Sequence, residues 1–136
     1  MIGEIIDILE AESSVMFYLN NDTANIHAIQ RRQETPIPCV VVDLTDFSPQ
    51  ETKSHSSFLD FVTISIAAYA DNPKDSFDMS MAIRDELDKY IGTVNGKSLD
   101  IRFEDLEIGI VSEDESFVTV TTFVVTQERT GQAAHT

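Results

Sequence analysis

The stretch from Ser57 to Tyr69 alternates in polarity over thirteen residues, a period of two that an extended strand satisfies. Phe58, Val62, Ile64, Ile66 and Ala68 fall on one face, with Asp60 the only charge among them. Leu59, Phe61, Thr63, Ser65, Ala67 and Tyr69 fall on the other, which is half apolar. The first set is the better core face. A sheet covered by helices on one side needs a single apolar face, so the surplus on Leu59, Phe61 and Tyr69 has two readings. It is a contact surface for a further chain segment or another subunit, or it is tucked under the domain's own loops. Asp71, Asn72 and Pro73 then end the alternation and an acidic amphipathic helix follows. Asp75 or Ser76 is placed to cap it, with Asp78 in its first turn. Met79, Ile83, Leu87 and Tyr90 form its core-facing stripe, and Gly92 is expected to end it as a left-handed cap. A long strand feeding a helix is a scaffold, and this run contains no nucleophile motif, metal cluster or phosphate loop.

The rest of the chain reads around that unit. Ile2, Ile5, Ile6 and Leu9 occupy one helical face, which Met16 and Phe17 would continue, so a helix is expected from Ile2 to Leu19, broken near Ser13. Ser13 or Ser14 could cap its second part. Ile26 to Ile29 reads as a short strand or a helical turn, and Gln30 to Pro36 as a surface connection. Pro38 opens a strand through Leu44, with Val40, Val42 and Leu44 on one face and Cys39, Val41 and Asp43 on the other. Phe47 to Ser56 is expected to be the polar tip of an extended antiparallel hairpin. Asn95-Gly96 marks a turn. Leu99 to Phe103 and Leu106 to Ile110 alternate as strands, Glu113-Asp114-Glu115 is an acidic turn, and Phe117 to Thr126 is the last strand. The absence of regular strand–helix alternation favours an α+β fold, a mostly antiparallel sheet with two main helices packed on one face. Residues 1–128 are expected to form one domain, and 129–136 a loose polar tail.

Chemistry is hard to find in these residues. His27, His55 and His135 are scattered without chelating spacing, and the acids at Glu104, Asp105 and Glu107 lack the order of a calcium loop. Neither Gly-x-Ser-x-Gly nor a glycine-rich phosphate loop is present. The sequence therefore argues for no catalytic activity, no metal and no cofactor. Cys39, the only cysteine, lies in an apolar strand and reads as an inert core thiol rather than a reactive one. Twenty-four acids against nine bases give a formal charge of −15, which disfavours binding to phosphate backbones. No apolar run is long enough to span a bilayer, and the first ten residues carry acids where a signal peptide carries bases, so a soluble cytoplasmic protein is expected.

The order of these elements resembles the tail-completion and tail-terminator proteins of long-tailed bacteriophages. The likeness spans about Ile2 to Glu128. It rests on the N-terminal helix, the strand opened by Pro36-Ile37-Pro38-Cys39-Val40-Val41-Val42, the long hairpin tip, the strand Phe61 to Tyr69, and the helix Ser76 to Tyr90. The resemblance implies a structural subunit that assembles as a ring, typically a hexamer, on the end of the tail tube at the head–tail junction. Its partners would then be further copies of itself, the tail tube protein and a head-proximal connector or neck protein. DNA would pass through without specific binding, no membrane would be involved, and the protein would move from the host cytoplasm into the virion. By position, the hairpin tip Pro49 to Ser57 is the candidate for contact with tube or neighbours. Gln50, Glu51, Lys53 and His55 of that tip join Leu59, Phe61 and Tyr69 as candidate contact residues.

Other readings remain at this stage: a head–tail joining protein on the connector side, or an acidic protein-binding module that mimics nucleic acid. Charge bears on the first reading in two ways. Acids suit a passage through which DNA slides, if they line it. Six copies, each at −15, would also bring roughly −90 formal charges together, so assembly should be opposed at low salt.

Overall fold

A computed structural model of the chain describes residues 2–19, 25–28, 37–51, 58–94, 96–111 and 116–128. The elements run α1 (Ile2–Glu10), α2 (Ser13–Tyr18), β1 (Ile26–Ala28), β2 (Cys39–Glu51), β3 (Phe58–Ala70), α3 (Pro73–Leu87), β4 (Ile91–Val94), β5 (Lys97–Val111) and β6 (Phe117–Glu128). The strands form one six-stranded sheet in the order β1-β2-β3-β6-β5-β4. It is a mixed sheet: β1 lies parallel to β2 and the other four pairings are antiparallel. The fold is α+β as expected, although the parallel β1 was not foreseen.

The alternation in β3 is realised. Asp60, Val62, Ile64, Ile66, Ala68 and Ala70 are all buried, whereas Phe61 is exposed and Thr63, Ser65, Ala67 and Tyr69 are half-buried. Opposite the buried face lie Val40 and Val42 of β2 and Phe123 and Val125 of β6, with Ile101 of β5 one strand further on. These residues form one core cluster with Ile5 and Leu9 of α1, Val15 of α2, and Met79, Ile83 and Leu87 of α3. Glu4 and Ile8 are buried in α1 besides the predicted face, while Ile2 and Ile6 are only partly buried. Phe17, expected to continue that face, is instead 72% exposed, because the break at residues 11–12 turns α2 relative to α1.

Between α3 and the sheet the packing is partly polar. Ser76 Oγ donates to the Ala68 carbonyl at 2.9 Å and lies 2.8 Å from the Thr119 hydroxyl. Thr121 Oγ1 donates to the Ile66 carbonyl. Ser76, Ser80, Thr119 and Thr121 are all buried, so a close helix-on-sheet contact is made with hydroxyls that have partners.

Several boundaries differ from expectation for identifiable reasons. β2 continues to Glu51, so Phe47 to Glu51 are strand rather than hairpin tip. Pro49 is tolerated there because β1 covers only Val40 to Val42, leaving that part of β2 at the sheet edge among the described residues. A bulge between Leu44 and Asp46 interrupts the ladder, and Leu44, assigned to the core face, is 36% exposed. Leu99 to Ile110 is one strand carrying two irregularities rather than two strands. β6 reaches Glu128, two residues beyond the expected end. The connection Gln30–Pro36, the tip residues 52–57, the acidic turn 113–115 and the tail 129–136 lie outside the described residues.

The helix caps were also misassigned. Glu12, not Ser13 or Ser14, caps α2, accepting from the Ser14 amide. Asn72, not Asp75 or Ser76, caps α3: its Oδ1 accepts from the Asp75 amide at 2.9 Å, and Pro73 fills the first helical turn where no N–H is needed. α3 ends at Leu87, and the left-handed residue after it is Lys89 (φ 64°) rather than Gly92, which lies in β4. From there the chain joins β5 at once. Lys89 donates to the Ile101 carbonyl, Ile101 donates to the Tyr90 carbonyl, and the Asp88 carboxylate accepts from the Phe103 amide at 3.0 Å. Gly96 adopts φ 79° in the predicted β4–β5 turn.

Two carboxyls meet between helices. Glu86 of α3 is pushed up to about 6 by burial and by a hydrogen bond and repulsion from Glu12, while Glu12 is held below its ordinary value by that hydrogen bond and by Ser14. A carboxyl with a raised folded-state pKa stabilises the fold below its unfolded value near 4.5, and that contribution is lost as pH rises through about 6. Glu86→Gln keeps a donor for Glu12 without the second charge. It should therefore raise the melting temperature at pH 7.5 more than at pH 4.5, and an equal shift at both would refute the raised Glu86 pKa. Denaturant titration should show Asn72→Ala destabilising by about 0.5–2 kcal/mol. Lys89→Gly should stabilise by about 0.5–1 kcal/mol, because glycine relieves the left-handed backbone.

Candidate functional site

Cross-strand register resolves the second face of the sheet into rows. At the end nearest the β2–β3 connection, Phe61, Thr126, Asp100 and Ile91 lie side by side on β3, β6, β5 and β4. The next row is Asp46, Thr63, Val124 and Arg102, followed by Asp43, Ser65, Thr122 and Asp105. Beyond these come His27, Val41, Ala67, Val120 and Glu107, and then Cys39, Tyr69 and Val118. The face is thus apolar at the Cys39–Tyr69–Val118 end, polar across the middle, and mixed at the other end, where Phe61 and Ile91 flank Thr126 and Asp100.

This arrangement divides the predicted contact residues. Gln50 sits opposite Leu59, and Glu51 opposite Phe58, beside the β2–β3 connection. Leu59 lies two residues before Phe61 on β3. Tyr69 belongs to the opposite end, about 26 Å from Phe61 along the strand. There it is half-buried, and its neighbours Cys39, Val41 and Val118 are buried. Lys53 and His55 lie outside the described residues. The structure therefore brings Gln50, Glu51, Leu59 and Phe61 to one end of the sheet and separates Tyr69 from them.

Exposure adds residues that sequence patterns did not single out. Ile91, at 71% exposure, ends the Phe61 row. A shallow hollow of about 250 Å³ adjoins it, lined by Ser98, Asp100 and Thr126. Asp100 holds Arg102 at 2.8 Å, which raises the Arg102 pKa. Phe47, at 52%, projects from the edge strand beyond the bulge. Ile91 stood just before Gly92, the expected end of the helix, and Phe47 opened the supposed hairpin tip. The signal that could have found them is an apolar residue beside Gly92 and another beside Ser48-Pro49, each in an otherwise polar setting.

The opposite end carries a cleft of about 270 Å³ between the start of α3 and the far ends of β5 and β6. Pro73, Phe77, Ile108 and Phe117 form its apolar wall. Phe77 and Ile108 are 38% and 58% exposed. Its polar margins already have partners: Ser76 is engaged with Ala68 and Thr119, and Lys74 Nζ contacts Asp78 at 2.7 Å, which raises the lysine pKa. Such a cleft can hold apolar side chains but has little to orient a polar substrate. Among the described residues no group of three or more His, Cys, Asp or Glu is arranged to hold a metal, and no helix is long and apolar enough to cross a membrane.

No protein-family model matches the chain, and no curated protein matches it. Among solved structures, the fold is similar to that of a chain in the virion of native gene transfer agent (GTA) particle, with a TM-score of 0.73. The similarity covers 95% of this chain and 95% of that chain at 13% sequence identity. At that identity the likeness is one of fold.

Proposed function

We propose that this protein is a structural virion subunit of the tail-terminator kind, forming a ring that caps the tail tube at the head–tail junction. The observation that carries this reading is the fold likeness to a chain of a gene transfer agent virion, which covers 95% of both chains. Phe61 and Ile91, exposed in one row of the second face, supply apolar surface for neighbours. The protein acts by shape and contact, not catalysis. Its partners are copies of itself, six to a ring, with the tube protein below and a connector or neck protein above.

At −15 per copy the subunits repel at low ionic strength. Sedimentation should therefore find a monomer in dilute low-salt buffer and a ring once salt, divalent cations or tube protein is added. A ring that dissociates as salt rises would contradict the electrostatic account. Negative-stain microscopy with purified tail tubes tests the function itself: capped tube ends are expected, and a monomer indifferent to tubes overturns the reading. Phe61→Asp with Ile91→Asp changes exposed positions only, so the melting temperature should stay near that of the unmodified protein while capping falls. Lys53→Glu with His55→Ala is expected to weaken capping in the same way.

A further inference from the structure

We propose that copies of this chain join through the two edges of the sheet, β4 of one copy pairing parallel with β1 of the next. This rests on the ring reading and assigns its interface. Among the described residues each edge strand has one ladder partner, β5 for β4 and β2 for β1. The Ile101 amide donates to the Tyr90 carbonyl, so Tyr90 faces β5. Alternation then turns the backbone amides and carbonyls of Ile91 and Thr93 to the open edge. Ile91 is 71% exposed there, and a strand laid alongside would bring a side chain against it.

Acid placement points to the same two edges. The chain carries 24 acids in 136 residues, yet four runs of ten or more residues contain none: 23–33, 61–70, 89–99 and 116–127. Two of these belong to the inner strands β3 and β6, where burial explains them, and the other two contain β1 and β4. Arg31, Arg32, Lys89 and Lys97 lie in the two edge runs and offset part of the charge that each copy brings. Neither β1 nor β4 contains an acid, a lysine, an arginine or a proline. The devices that discourage strand addition fall elsewhere. β2 beyond Val42 has Asp43, Asp46, Pro49, Glu51 and a bulge, and β5 beyond Asp100 has Glu104, Asp105, Glu107 and two irregularities.

The register of the sheet suits a ring. β4 is antiparallel to β5, β5 to β6, β6 to β3 and β3 to β2, so β4 runs in the same direction as β2 and β1. Rotation about a ring axis preserves that direction, which makes the contact parallel. The two edges are also staggered: His27 shares a row with Ala67 of β3, and Thr93 shares one with Leu59, eight residues away along that strand. At ~3.3 Å per residue and ~4.8 Å per strand, the offset is about 26 Å across about 29 Å of sheet. Such a copy meets its neighbour by rotation alone when the strands tilt about 40° from the ring axis, within the ~35–45° typical of closed barrels. β5 then extends past the contact toward one end of the sheet and β2 of the neighbour toward the other, so their acids are carried apart. A two-fold pairing of either edge with itself closes a dimer, and alternating two such pairings makes a ring whose sides are alike. A ring with the tube on one side and a connector on the other needs copies that all face the same way, which β4 mated to β1 supplies.

The test uses the full chain under conditions that assemble rings. Thr93→Pro removes an outward amide without breaking the ladder to β5, so the melting temperature of the monomer should stay near that of the unmodified protein. Ring formation should then need about tenfold more protein or more. Rings from folded Thr93→Pro at the unmodified concentration overturn the edge assignment. Independently, His27→Cys and Thr93→Cys place thiols on the same face of the sheet, with buried Cys39 as the unreactive background. A short bismaleimide linker should join the two variants in an equimolar mixture and should not join either to itself. Linkage within one variant alone, or rings without mixed linkage, overturns the β4–β1 contact and leaves the ring reading standing. A protein that stays monomeric in every condition, tube protein included, overturns both.

Discussion

The uninterrupted register between β3 and β6, from Leu59 opposite Glu128 to Ala70 opposite Phe117, fixes the position of nearly everything else. Side chains on a strand alternate, so a slip of one residue here would exchange the two faces of the central strands. Ile64 and Ile66 would leave the core, and Phe61 and Tyr69 would enter it. The register also sets α3. Ser76 reaches both the Ala68 carbonyl of β3 and the Thr119 hydroxyl of β6, and Ala68 and Thr119 are directly paired. The helix is therefore located on the sheet by a buried polar contact as well as by Met79, Ile83 and Leu87. At its far end Arg84 lies over Phe103, which meets Phe123 edge-on at 5.9 Å, and Asp88 anchors the chain to β5.

The sheet is regular at its centre and irregular toward its margins. β2 carries a bulge and a proline on its open edge, and β5 carries two irregularities with Glu104, Asp105 and Glu107 nearby. Bulges, proline and like charge all discourage the addition of a foreign strand. The same features that blunt these two strands also expose Phe47 and Ile108, so along them apolar contact is moved from backbone edges to side-chain surfaces.

Legibility in the sequence followed the strength of local pattern. The period-two run from Phe58 to Tyr69 and the Met79–Ile83–Leu87 stripe each depend on burial of a whole face, and both were readable. The Gly96 turn was readable because glycine there has a conformational reason. The end of β2 was hidden because an edge strand need not look apolar: Ser48-Pro49-Gln50 reads as loop until Phe61, Asp60 and Leu59 are found opposite. Caps failed where several competent residues stood together, since Asn72, Asp75 and Ser76 can all accept a helix amide and only the fold selects Asn72. Lys89 was invisible as a left-handed residue because a nearby glycine was the more obvious choice. The candidate surface was half legible. Phe61 and Tyr69 were correctly placed on one face, but alternation alone carries no information about which residues along 26 Å of strand act together (roughly the span given by the strand rise).

That separation changes how the apolar surplus on β3 should be understood. A single patch joining Phe61 and Tyr69 would favour a symmetric pair of copies, each covering the other's greasy strip. Instead a polar band containing Asp43, Asp46, Thr63, Ser65, Arg102 and Asp105 crosses the middle of the face. Stacking two such faces would bury those charges against their own kind, and the desolvation penalty would fall on the very centre of the contact, where water is most fully excluded. The exposed apolar residues of this face, Phe61 and Ile91, lie at one end and can be covered without burying the band, provided that a neighbour meets that end. For a chain this acidic, the distribution of charge within the face therefore constrains the geometry of assembly more tightly than the total charge does.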